Sequence, residues 1–63
     1  MKTGRVKFFS EEKGYGFITV DGGEGDLFVD ISEVRDSIKE RDRVSFEIEE
    51  EKSRKKAINV TLI

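Results

Sequence analysis

The chain contains no cysteine, histidine, tryptophan, proline or glutamine. Without cysteine there is no disulfide and no thiolate metal site. Without histidine as well, Cys/His zinc sites and the Ser/His or Cys/His arrangements of nucleophilic catalysis are excluded. Long apolar runs are also missing, so no segment has the length of a transmembrane helix. No signal-peptide pattern follows Met1. The expectation is a soluble cytoplasmic protein that needs no cofactor, engages no membrane and has no small-molecule substrate. An excess of positive charge is absent too. Lys and Arg number 12 against 14 Asp and Glu, for a net charge of −2. That is not the basic footprint usual in nucleic-acid-binding domains, although a local basic face meets phosphate whatever the net charge.

What is present is short and strand-like. The 63 residues make one small domain, residues 1–63, with a thin stability margin. "GRVKFFS" (residues 4–10) reads as a first strand and "EEKG" as a turn closed by Gly14. "YGFITV" (residues 15–20) is a second strand, "DGGEG" a glycine-rich hairpin loop and "DLFVD" (residues 26–30) a third strand. Residues 31–42 hold one or two helical turns, with Ser32 as a cap and Ile31, Val34 and Ile38 at roughly helical spacing. "RVSFEIEEE" and "AINVTLI" alternate as fourth and fifth strands, joined by the solvated acidic-to-basic stretch "EEEKSRKK". Asp21, Glu24 and Asp26 do not have the spacing of a calcium loop.

Five short strands with close turns predict an all-β small barrel, since closure removes the exposed sheet edges. Val6, Ile18, Val20, Leu27, Val29, Val44, Phe46, Ile48, Ile58, Val60 and Leu62 form one inward set. Tyr15, Phe17 and Phe28 have no place in it, and neither does one of Phe8 and Phe9. Both of those residues face outward only if a bulge intervenes. The outward aromatics are either a second core layer or surfaces exposed for a purpose.

"GRVKFF", "KGYGFI" and "DLFVD-IS", in this order, resemble a cold-shock domain, and the resemblance resumes at "VSFEIEE" and "AINVT". "KGYGFI" is similar to that family's first ribonucleoprotein motif and "LFVD" to its second. An RNA-recognition motif, which the first segment also partly fits, needs two helices that this chain does not supply. The resemblance implies a five-stranded antiparallel OB-like barrel with one short helical turn. It also implies single-stranded RNA or DNA as partner, bound by an RNA-chaperone-like module and not by an enzyme. Carried over residue by residue, it makes Phe8, Tyr15, Phe17 and Phe28 a stacking platform. Lys7 and Lys13 would flank the rings, and Asp26 would accept a hydrogen bond from a base edge. Gly14 and Gly16 would keep the strand flat beside the rings. The expected state is a monomer, with a strand-exchanged dimer as the other state open to a small barrel.

The chain departs from the family pattern at defined places. Phe8 stands where the family usually has tryptophan, and Asp30 and Ile31 where it has histidine and phenylalanine. The following loop is shortened to "RDSIKERD", and "SRKKA" replaces a Gly-Pro step in the last loop. A reduced platform implies weak, salt-dependent binding. The alternative is a stable OB-barrel scaffold, engineered or diverged, whose nucleic-acid binding is weak or lost.

Overall fold

A computed structural model describes residues 1–23 and 25–63. Five strands are present: β1 (Lys2–Ser10), β2 (Tyr15–Val20), β3 (Asp26–Asp30), β4 (Arg43–Glu51) and β5 (Arg54–Leu62). A single 3-10 turn, Ile31–Glu33, follows β3. The strands close into a barrel in the order β1-β2-β3-β5-β4, with β4 pairing back onto β1. No helix among the described residues is long and apolar enough to cross a membrane.

The all-β, five-stranded barrel is as expected, with one difference inside it. Four pairings are antiparallel, but β3 and β5 run parallel. Counting explains this: strands that alternate in direction cannot close a ring of odd number, so one seam must be parallel. That seam is short, joining only Phe28 to Lys56 and Val29 to Ala57.

The core consists of Val6, Ile18, Val20, Leu27, Val29, Ile38, Val44, Phe46, Ala57 and Val60, with Phe9, Val34 and Ile48 packed at its margin. Two bulges determine which residues enter it. In β1 the register slips between Val6 and Phe8, so Lys7 is the extra residue. The slip turns Phe8 outward opposite Phe17 and Phe9 inward opposite Gly16. In β5 the register slips opposite Phe46, and Asn59 takes a positive φ of 51° there. A bulge reverses the in-out phase of the strand beyond it. The expected placement of Ile58 is therefore corrected: Ala57 and Val60 point inward, and Ile58, opposite the exposed Glu47, is half-buried. Leu62 keeps the phase of Val60 and pairs with the buried Val44, but at the end of the strand it is exposed. Asn59 is suited to the bend, because asparagine tolerates the left-handed region. Its side chain is held from both directions, accepting from Arg35 Nη2 at 2.8 Å and donating to Glu47 Oε2 at 3.1 Å.

The segment after β3 is one 3-10 turn followed by irregular chain, within the one or two turns expected, and Ile38 is its one fully buried apolar residue. Two further expectations are corrected. Asp30, not Ser32, caps that turn. β5 starts at Arg54, so most of the basic run lies on a strand and only Lys52 and Ser53 form the turn. In the glycine-rich loop, Gly22, Gly23 and Gly25 all have positive φ. Glu24 of that loop lies outside the described residues.

Candidate nucleic-acid interface

The outer face of β1, β2 and β3 is built by the first bulge. Phe8 pairs with Phe17 and Phe17 with Phe28, so three rings lie in one transverse row across three strands. The parallel seam continues this row to Lys56, and the β4–β5 register continues it to Glu49. Phe8, Phe17 and Phe28 keep 40%, 38% and 38% of their surface exposed.

Tyr15 joins the rings. Its ring is 6.1 Å from Phe8 and 6.1 Å from Phe17 in edge-on contacts, and 5.9 Å from Phe28 at an interplanar angle of 20°. Phe17 and Phe28 meet edge to face at 6.0 Å. These are the offset-stacked and T-shaped arrangements that aromatic quadrupoles favour. They hold the rings in place while leaving faces open to solvent. The four predicted aromatics are thus together on one surface.

The charged candidates are arranged differently. Lys7, the bulge residue, reaches past β2 to Asp26, with Nζ 2.9 Å from Oδ2. Thr19 donates to the other carboxylate oxygen at 2.9 Å. The Lys7 hydrogen bond first, and then that of Thr19, lower the Asp26 pKa below its ordinary value. Lys7 and Asp26 therefore form a locally neutral pair beside the rings. Lys13 is exposed on the turn before β2, where its backbone N–H donates to Ser10 Oγ at 3.1 Å.

The two glycines have backbone roles. Gly14 takes φ +81° to close the turn, and its carbonyl accepts from the Ile31 N–H at 3.0 Å. Gly16 is buried on the core side, where an added Cβ would lie 2.7 Å from Phe9 Cδ1 and 2.8 Å from Phe9 Cα. An added Cβ would meet the Phe8 carbonyl oxygen before Phe9, so Gly16 lets β1 approach closely, and it does so on the core side of the strand.

Asp30 and Ile31 are where the platform pattern breaks. Asp30 accepts from the Ser32 N–H at 3.0 Å and the Ser32 hydroxyl at 2.6 Å. The side-chain bond first, then the backbone bond, hold its pKa below the ordinary 3.8. Its folded-state pKa being depressed, its contribution to stability is fully present above the ordinary value and is lost as pH falls through the lower folded value. Asp30→Ala is expected to lower Tm by a few degrees at neutral pH. The gap between the two proteins should close on acidification below the ordinary carboxylate range, as followed by circular dichroism melts. Ile31 turns away from the rings and lines a small hollow with Phe9, Val34 and Ile38.

One group was read from the sequence mainly as a solvated loop. β4 and β5 continue past the short seam as a hairpin, and an open groove of about 800 Å³ lies between it and the rings. Its lining is Phe17, Asp26, Phe28 and residues 51–56. The signal in the sequence was the basic stretch "KSRKK" itself, which by composition reads as a solvated loop before it reads as a phosphate contact.

A profile of the "'Cold-shock' DNA-binding domain" matches residues 2–63. The chain belongs to the cold-shock domain family. It is a family of nucleic-acid-binding domains. A cold shock protein of Arthrobacter globiformis is 43% identical to this cold-shock domain over 67 residues, covering 100% of both chains. A cold shock-like protein of Bacillus cereus is 46% identical over 65 residues, covering 97% of each. Among solved structures, Drosophila Unr CSD456 is similar with a TM-score of 0.83 and 28% identity. That match covers 98% of this cold-shock domain, which spans 26% of the Drosophila chain.

Proposed function

We propose that this cold-shock domain binds single-stranded RNA or DNA by stacking bases on Phe8, Tyr15, Phe17 and Phe28. The observation that carries the reading is the exposed row of rings, aligned in register across three strands. Every base has a π-face, so such a surface binds with little sequence reading, at about 1–3 kcal/mol for each stacked base. Lys13 flanks the entry to β2 as a candidate phosphate contact. Asp26 still has lone pairs for a base amino group beyond its bonds to Lys7 and Thr19. A domain of this kind melts RNA secondary structure without catalysis, because preferential binding to the single strand shifts the equilibrium by mass action.

Binding is weak and falls steeply with salt. Asp30 is committed to its cap and Ile31 offers no π-face, so the platform ends at Tyr15 and Phe28. The net charge of −2 adds no general attraction for phosphate. The test is a titration of labelled oligothymidine, the matching RNA oligonucleotide and a duplex, at low and moderate salt. Single strands are expected to bind at low salt and weaken several-fold or more at moderate salt, with the duplex binding least. A folded chain that binds no single strand even at low salt contradicts the proposal.

A further inference from the structure

We infer that the β4–β5 hairpin is the arm that holds backbone phosphates, through Lys52, Arg54 and Lys55. This rests on the single-strand reading above and goes beyond it, because Lys7, one of the two lysines expected beside the rings, is already paired with Asp26.

Charge distribution is the first reason. On a chain of net charge −2, the groove beside the rings is lined by Lys52, Arg54, Lys55 and Lys56 against only Asp26 and Glu51. It is a locally positive wall facing Phe17 and Phe28. At the other side of the rings, Lys7 is neutralised by Asp26 at 2.9 Å. A phosphate that draws Lys7 away is left beside a bare carboxylate, so that end offers little net attraction.

Availability is the second reason. Lys56 lies 3.3 Å from Glu49, and that bond raises its pKa from the ordinary 10.5. It is a paired cation. Arg54 and Lys55 stand opposite Glu51 and Glu50 in the β4–β5 register, yet neither closes an ion pair among the described residues. Lys52, at the turn with φ 55°, is exposed and has no ion pair among the described residues either. Lys52, Arg54 and Lys55 therefore line the groove without being committed to an ion pair among the described residues.

Topology is the third reason. The β3–β5 seam ends at Phe28 and Lys56, so β3 before Phe28 and β5 before Lys56 are free to diverge. The groove opens at that fork, with two rings on one side and the basic strand on the other. A single strand has its bases on one edge and its phosphates on the other, and this layout meets both. The basic residues stand at the last-loop positions where the family pattern has an uncharged Gly-Pro step, so the arm belongs to this sequence.

The test is the salt dependence of oligothymidine affinity. For single strands, log K falls with log salt by about 0.7 for each phosphate neutralised. Lys52→Gln/Lys55→Gln is expected to weaken binding and reduce the slope by about 1.4, with no change in the melting curve. Lys39→Gln, outside the groove, should change the slope by well under half as much. Glu51→Gln, which removes a carboxylate from the groove lining, should strengthen binding. If the double variant keeps the parent slope while Phe17→Ala still weakens binding, the hairpin inference is overturned and the stacking proposal stands. If the folded parent binds no oligonucleotide, both are overturned.

Discussion

Gly16→Ala is expected to remove about 3 kcal/mol or more of folding stability. The methyl group would enter the barrel between β2 and β1, 2.7 Å from Phe9 Cδ1 and 2.8 Å from Phe9 Cα. A side chain can swing aside from such a contact, but the Cα of a paired strand moves only with its strand. Inserting atoms into a well-packed core ordinarily costs about 1–3 kcal/mol, and a clash with paired backbone belongs at the upper end. A domain of this size has roughly 3–9 kcal/mol in total, at about 0.05–0.15 kcal/mol per residue. The substitution thus consumes a third of the margin or more. Urea unfolding should show the midpoint falling sharply with little change in slope. A midpoint within error of the parent would show that Phe9 does not pack over Gly16 as described.

Phe17→Ala/Phe28→Ala should produce the reverse pattern: a large loss of binding with a small loss of stability. Two stacking faces at about 1–3 kcal/mol each predict oligothymidine binding weaker by thirty-fold or more. Their mutual edge-to-face contact, at 6.0 Å, is worth about 0.5–1.5 kcal/mol to the fold. The distinction matters because a covered platform behaves oppositely. Were these rings a second core layer in a scaffold, each truncation would cost on the order of 3 kcal/mol or more, as for buried aromatics. Measuring stability and affinity on the same variant separates the two accounts.

Much of the fold was legible in strand alternation, and what was not is concentrated at the bulges. Alternation placed Ile18, Val20, Leu27, Val29, Val44 and Phe46 correctly, because β2, β3 and the first part of β4 keep an unbroken phase. It misplaced Ile58 because the register slips opposite Phe46, and Leu62 because the end of β5 leaves an inward-phased residue uncovered. The pair Phe8–Phe9 posed the same problem, because the unbroken phase that buries Val6 would bury Phe8 and expose Phe9. The bulge at Lys7 reverses that phase and turns Phe8 out and Phe9 in. In β5 both Ala57 and Ile58 are apolar, so either phase looks acceptable, and only Asn59 hints at a left-handed bend.

The candidate site divides along similar lines. The aromatic positions followed from motif and alternation, and the barrel brings all four together. The charges did not follow, because long side chains choose partners that sequence separation conceals. Lys7 and Asp26 are 19 residues apart yet form an ion pair across the sheet. Asp30 read as a lost platform position, and it is also the cap of the turn that carries the chain out of β3. The groove beside the basic hairpin depends on how far the β3–β5 seam extends, which no local pattern encodes.

The central claim is that a single strand lies across the rings and under the hairpin. Amide chemical-shift mapping of the 15N-labelled chain against a short oligothymidine at low salt tests it most directly. The account predicts that the largest shifts gather on Phe8, Tyr15, Phe17 and Phe28 and on residues 52–56. Shifts that gather instead around Val34, Ser37 and Ile38, which line the separate hollow beside Phe9 and Ile31, would contradict it.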